Sequence, residues 1–201
     1  MKRRKNGFTL VELLVAMVIL VIAFGLVTYL YTRAAKIRKV VVVNNEIQQV
    51  LSQVMDTLTY GDKAHWGIIH ATGLDANNPS ETTILYLKKE IGGTTSTLKA
   101  DINLTNPGFV TVNWDGSGDI VLDPAGKVEI LTKDTDPIYP SRFEYYDSKG
   151  QRLNAPLSSS DRTKVSFIKI VLWARSRDPV MKFANPVPFV TGVKLRNKSS
   201  F

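Results

Sequence analysis

The chain has 201 residues, 44% of them hydrophobic, which is room for one ordinary globular domain plus an extra element and excludes a disordered tail. Its formal charge is +8, yet four of its 26 Lys and Arg residues fall within the first five positions; without them 22 cations face 18 carboxylates, too small an excess to argue for nucleic acid. No cysteine is present, so a disulfide framework and a thiolate zinc site are both excluded.

The basic start Lys2, Arg3, Arg4, Lys5 is followed by Phe8 to Tyr31, in which only Thr9, Glu12, Gly25 and Thr28 are not clearly apolar. As one helix this stretch is about 36 Å long, enough to cross a bilayer. An ordinary secretory signal has the same basic start, but its apolar region is about half this length, and no small-x-small cleavage site follows here. Arg33, Lys36, Arg38 and Lys39 on the far side match the four cations at the start, so charge counting leaves the orientation open. The carboxylate of Glu12 is the anomaly, since a charge in a membrane helix costs about 2.5–3.5 kcal/mol on insertion scales.

Helical spacing continues past the basic cluster. Ile37, Val40, Val41, Ile47, Val50, Leu51, Val54, Met55 and Leu58 recur at intervals of three and four, with polar residues between them. The first proline is Pro79, so a single helix is predicted from Phe8 to about Tyr60, with Gly61 as its stop signal. Its amphipathic second half requires a partner, expected to be the protein's own sheet.

Beyond Gly61 short β-rich runs alternate with turns. TILYLK at 83–88, GFVTVNW at 108–114, DIVLD at 119–123, KVEILT at 127–132, RFEYYD at 142–147, KVSFIKIVLWAR at 164–175 and FVTGVKLRN at 189–197 are predicted strands. DGSGD, DPAG, DSKG and NAPLSSSD between them are turn or loop chemistry, with Ser158, Ser159 and Ser160 in a flexible loop. The predicted fold is α+β: a long N-terminal helix packed against a mainly antiparallel sheet head.

The head offers no catalytic constellation. His65 and His70 flank Trp66 at a spacing that matches no metal motif, and a packing or surface role is expected for them. Asp115, Asp119, Asp123, Asp134 and Asp136 are spread through turns; WDGSGD at 114–119 suggests a calcium loop but lacks its further ligands, so turn-capping is expected. Trp66, Trp114, Trp173, Tyr145 and Tyr146 are read as core or hairpin packing rather than a stacking platform for bases. No serine sits in a nucleophile elbow, and there is no phosphate-binding loop. No cofactor and no metal are expected.

At its N-terminus, KRRKNGFTLVELLVAMVIL resembles the class III leader of type IV pilins and type II secretion pseudopilins: a short basic peptide ending in Gly, then Phe, then Thr-Leu-Val-Glu opening a long apolar helix. The match covers about the first 30 residues. It implies that a prepilin peptidase cuts after Gly7 and N-methylates Phe8, and that Glu12 meets the N-terminus of an adjacent subunit to set axial register in the filament. Pairing gives the carboxylate and the new ammonium a reason to be there, because each alone is expensive in an apolar setting. The alternatives at Glu12 are pairing with its own N-terminus or facing water. Many major pilins carry a kinking proline at the position of Tyr29, and its absence is similar to minor subunits.

In the head, SRFEYYDSKGQ, KVSFIKIVLWAR and the terminal TGVKLRN are similar in order to PilW-like minor pilins and to pseudopilin J of type II secretion. Some pseudopilins bind calcium in their heads, which keeps that reading of WDGSGD open. The resemblance implies a leader at 1–7, a membrane and filament-core helix at 8–31, its amphipathic continuation at 32–60 and a β-rich head at 61–201. It further implies a structural subunit at or near the tip of a type IV pilus or pseudopilus, serving filament initiation, protein secretion or DNA uptake. Expected partners are prepilin peptidase, other major and minor pilins or pseudopilins, the inner-membrane assembly platform and membrane lipid, while nucleic acid is not expected. Residence is in the bacterial inner membrane, single-pass, with the head outside the cytoplasm until assembly. The rival readings are a membrane-anchored binding or sensor domain and, behind it, an anchored hydrolase.

Overall fold

The computed structural model describes residues 9–61, 66–102, 111–114, 119–121, 128–132, 136–178, 181 and 185–195. The chain divides into two compact units, Met1–Val42 and Val43–Phe201. Helix α1, Leu10–Tyr60, is the first element of the fold. It ends at the tyrosine before Gly61, as the sequence predicts.

In the first unit every described residue is exposed, and the large apolar side chains run all around the helix from Leu10 to Tyr31, with the cations Arg33, Lys36, Arg38 and Lys39 beyond it. A helix apolar on all sides requires a surrounding that is itself apolar. Ile37, Val40 and Val41, predicted to open the buried stripe, belong to this exposed portion. The buried stripe begins instead at Val43.

In the second unit Val43, Ile47, Leu51, Val54, Met55 and Leu58 repeat at three- and four-residue steps and are all buried. They enter one hydrophobic cluster with residues of two antiparallel sheets. The first sheet has the order β1–β2–β3–β4–β5, from Gly73–Leu74, Ile84–Ile91, Thr94–Asp101, Thr111–Trp114 and Asp119–Val121. It supplies Leu85, Leu87, Leu98 and Ala100 to the core. The hairpin β2–β3 turns through Gly92 and Gly93, both at positive φ, with Ile91 opposite Thr94. β3 and the two-residue strands Gly73–Leu74 (β1) and Arg152–Leu153 (β8) are additions to the predicted strands. A run of Thr and Ser hides β3 from an apolar-alternation reading.

The second sheet has the order β10–β9–β7–β8, from Val187–Lys194, Val165–Ser176, Arg142–Asp147 and Arg152–Leu153, and β6 (Val128–Ile130) pairs with the end of β9. β9 explains its own mixed pattern: it is central, with Ile168, Ile170, Leu172 and Ala174 in the core and Val171 buried on the opposite face. Where β6 ends and β7 begins, the buried Ser141 hydroxyl accepts from Trp173 N–H at 2.9 Å and lies 3.3 Å from Trp173 C=O. Four links tie the sheets together: Phe143 N–H to Thr82 C=O, Tyr145 O–H to Glu81 C=O, Leu157 N–H to Ser80 C=O and Arg162 Nη1 to Asp75 C=O.

Ser158 to Ser160 do not form a loop. Ser158 caps helix α2, Ser159–Lys164, accepting from Asp161 N–H at 3.1 Å. The signal was local, a serine followed three residues later by an acid.

Glu144 is the one buried carboxylate of β7, and it is heavily partnered. Arg142 Nε lies 2.7 Å away, Tyr146 O–H donates at 2.9 Å, and Arg152 and Lys169 stand at 3.6 and 3.5 Å. Burial pushes its pKa up, but the Arg142 and Tyr146 hydrogen bonds and the Arg142 and Arg152 charges outweigh burial and hold it below the ordinary carboxylate value. A lowered folded-state pKa contributes stability that is present above the unfolded value and lost as pH falls through the folded one. Glu144→Gln should therefore lower the unfolding free energy at pH 7 by about 1–3 kcal/mol, read from urea unfolding, and the difference from the parent should shrink as pH falls below the ordinary carboxylate range. Equal loss at pH 7 and below that range would show that the charge is not the source.

At the end of α1, Gly67 N–H bonds Tyr60 C=O at 3.2 Å, and a Cβ on Gly67 would run into the backbone of Thr59, Tyr60 and Gly61. Backbone cannot move aside as a side chain can. Gly67→Ala should cost about 1–3 kcal/mol, whereas Gly73→Ala, which would meet only the flexible Lys88 side chain, should cost much less. Urea unfolding in detergent, followed by tryptophan fluorescence, checks the pair.

Candidate functional site

The start of α1 carries the site. Thr9 precedes the first helical residue, Leu10, and Leu13 N–H closes the first turn on Thr9 C=O at 3.2 Å. The first N–H groups of any helix lack intrahelical acceptors. Here Glu12 N–H donates to Thr9 Oγ1 at 3.3 Å, while Thr9 N–H and Thr9 O–H both donate to Glu12 Oε2, at 2.9 and 3.0 Å. This is a reciprocal capping box, Thr-x-x-Glu, in which the carboxylate also sits at the positive end of the helix dipole.

Glu12 therefore has an occupation within its own chain. Both bonds use Oε2; among the described residues Oε1 of Glu12 has no hydrogen-bond partner. The other hydroxyls of the apolar run are answered in the same way. Thr28 O–H donates to Phe24 C=O at 2.8 Å and Thr32 O–H to Tyr29 C=O at 2.9 Å, which removes the cost of an unpaired hydroxyl in an apolar surrounding. Among the described residues this is the one helix long and apolar enough to cross a membrane. Arg33, Lys36, Arg38 and Lys39 are exposed beyond it.

Gly7 and Phe8 lie outside the described residues, as do Lys2 to Lys5. Thr9 was missed by a reading that concentrated on the acid; the pattern of a hydroxyl residue, two positions and an acid before an apolar run was its signal. In the head, His70 closes the short 3-10 turn η1, Ile68–His70, and His65 lies outside the described residues. Trp66 lies under the Lys89 ammonium at 5.7 Å. Asp119 begins β5, and Asp136 caps a turn by accepting from Ile138 and Tyr139 N–H. Asp115, Asp123 and Asp134 lie outside the described residues. Among the described residues no three His, Asp or Glu side chains group in a way that could hold a metal. Trp173 packs on Tyr139 with centroids 4.8 Å apart, Tyr146 meets Phe167 edge-on at 5.9 Å, and Tyr145 is fully buried. Burial pushes the Tyr145 hydroxyl far above its ordinary pKa, so it stays a neutral donor to Glu81 C=O.

Compared with known protein families, residues 2–28 match the prokaryotic N-terminal methylation motif. That motif is the prepilin signature of type IV pilins and pseudopilins. No curated protein and no solved structure matches the chain.

The capping box gives a direct test. In Thr9→Ala both side-chain bonds of Thr9 are lost, so the amides of the first turn should exchange faster with solvent in detergent micelles, while Thr9→Ser should keep parental rates. Unchanged exchange at Val11 and Glu12 in Thr9→Ala would remove the cap from the account.

Proposed function

We propose that this chain, which carries the prepilin signature, is a minor pilin or pseudopilin. It is made as a prepilin, cut by prepilin peptidase between Gly7 and Phe8, methylated on Phe8, and inserted at or near the tip of a type IV pilus or type II secretion pseudopilus. There it acts by contacts, in filament initiation, protein secretion or DNA uptake, and turns over no substrate. Its neighbours are other major and minor subunits, the inner-membrane assembly platform and lipid. Before assembly it rests in the bacterial inner membrane with the head outside the cytoplasm.

The observation that carries this reading is the conjunction of the motif at residues 2–28 with an apolar helix that has no covered face and a capped carboxylate in its first turn. Cleavage after Gly7 leaves the Thr9 amide intact, so the capping box survives maturation. Oε2 of Glu12 keeps its own helix end, and Oε1 receives the Phe8 ammonium of an adjacent subunit. A single carboxylate thus serves fold and register together, in a surrounding where an unpaired ammonium would be costly. Assignment as a minor subunit rests on Tyr29 in the place of a kinking proline and on the RFEYYD, KVSFIKIVLWAR and TGVKLRN order of the head.

The intact mass and N-terminal sequence of protein from native membranes should give a chain beginning at N-methyl-Phe8; a chain beginning at Met1 would sink the reading. Glu12→Gln separates the two duties, since the amide oxygen can still cap while the charge is gone. That variant should be processed and inserted normally yet be depleted from sheared filaments or from crosslinked subunit complexes. Parental incorporation would leave the ion pair without a role.

A further inference from the structure

β10 is the edge of the second sheet, and its open side is defined by register. Lys194 faces Phe167 across the β9–β10 ladder, and Leu195 N–H bonds Ser166 C=O at 3.0 Å. In an antiparallel ladder, bonded and non-bonded pairs alternate. Val193, Thr191, Phe189 and Val187 therefore turn their backbone groups toward β9. Lys194, Gly192, Val190 and Pro188 turn theirs away. Among the described residues nothing hydrogen-bonds to the outward N–H groups of Val190, Gly192 and Lys194. The turn η1 approaches β10, and its His70 N–H bonds Gly67 C=O while the carbonyl of Ile68 accepts from Ala71 N–H rather than from β10.

An eight-residue open edge is a template for another strand, and proteins usually blunt such edges with Pro or Lys. Here Pro188 and Lys194 stand near the two ends. Phe189 to Val193 between them carry no charge and no proline. Val190 is 51% exposed, and Gly192 offers no side chain because the Phe167 ring lies across it. On the core side of the same edge, Val187 and Phe189 pack against the hydrophobic cluster and remain only half covered. On the outer side the exposed charge on the edge strand itself is cationic, Lys194, while Lys169 on β9 is shared with Glu144 at 3.5 Å.

We propose that the β10 edge docks an extended segment of another protein, about five residues long, that alternates apolar side chains toward the core with Asp or Glu on the outer face. Backbone bonds to Val190, Gly192 and Lys194 hold it, Phe189 and Val187 gain apolar cover, and Lys194 reads its charge. A second copy of β10 fits less well. Residues 187–195 contain no carboxylate, so self-pairing sets Lys194 against no acid of the partner strand. This inference stands apart from the filament reading, because it uses no residue of the N-terminal motif.

The test uses the full chain in detergent micelles and two blocked peptides, EVEVEVE and KVKVKVK, with amide exchange read residue by residue. With the acidic peptide, exchange at Gly192 and Lys194 should slow about tenfold or more, and added salt should weaken the effect. Val190→Pro removes an outward N–H while leaving every bond to β9, and should abolish the slowing. Lys194→Glu, an exposed change that spares the fold, should shift preference toward the basic peptide. No slowing with EVEVEVE would overturn the proposal. So would equal slowing with both peptides in the parent, which would remove the charge reading, or an edge already protected in a chain of dimeric mass, which would make the occupant a second copy.

Discussion

Both sheets of the head are organised on one stripe of α1. Leu51, Val54 and Leu58 are completely buried, and the apolar faces of two separate antiparallel sheets meet around them. Both sheets contribute to that cover, the first mainly through β2 and β3 and the second mainly through β9. Fully burying a Leu or Val side chain is worth about 1.5–3 kcal/mol, so the six buried positions from Val43 to Leu58 are the natural nucleus around which the sheets close. The hydrogen bonds from the 75–83 segment to Phe143, Tyr145, Leu157 and Arg162 then fix how the sheets meet. Burial supplies the drive, and these directional links supply the register.

The first unit follows a different rule. No apolar face is covered there, so its polar atoms decide whether the segment tolerates an apolar surrounding. Thr28 and Thr32 return their hydroxyls to carbonyls of the preceding turn, and Thr9 and Glu12 satisfy each other. What would otherwise be exposed polarity is internalised within the helix itself. The remaining oxygen of Glu12 is the exception, and an exception in such a segment is where a second molecule has something to offer.

Much of this was legible before any coordinates. The helix from the basic start to Tyr60 follows from apolar periodicity and the lack of proline before Pro79, and seven strands follow from β-rich runs between turns. The start of the buried stripe was misplaced, because Ile37, Val40 and Val41 keep helical spacing whether their surrounding is lipid, another subunit or a sheet. Spacing reports a face and does not report what covers it. Strand β3 was missed because Thr94 to Thr97 carry their signal in β-branching rather than in alternation, although Gly92–Gly93 beside them is a two-residue hairpin turn. The loop at Ser158 to Ser160 was misread as flexible when its first serine was a cap. At the site, Glu12 stood out and Thr9 did not, since a threonine becomes informative only when its reach to a donor three residues on is considered.

The two ends of the chain illustrate why composition alone cannot assign partners. In the apolar run from Leu10 to Tyr31 the acid Glu12 stands out, because it is the one charged residue there and each polar atom must be accounted for. On the second sheet charge is plentiful: Arg142, Arg152 and Lys169 converge on Glu144, and Arg175 pairs with Glu129. Those ions are answered by one another, so their number says little about what the surface binds. Lys194 differs in lying at an edge whose backbone also lacks a partner. Unmet hydrogen bonding and unmet charge coincide only where register, burial and sequence are read together. A count of +8 spread over the chain contains none of that information.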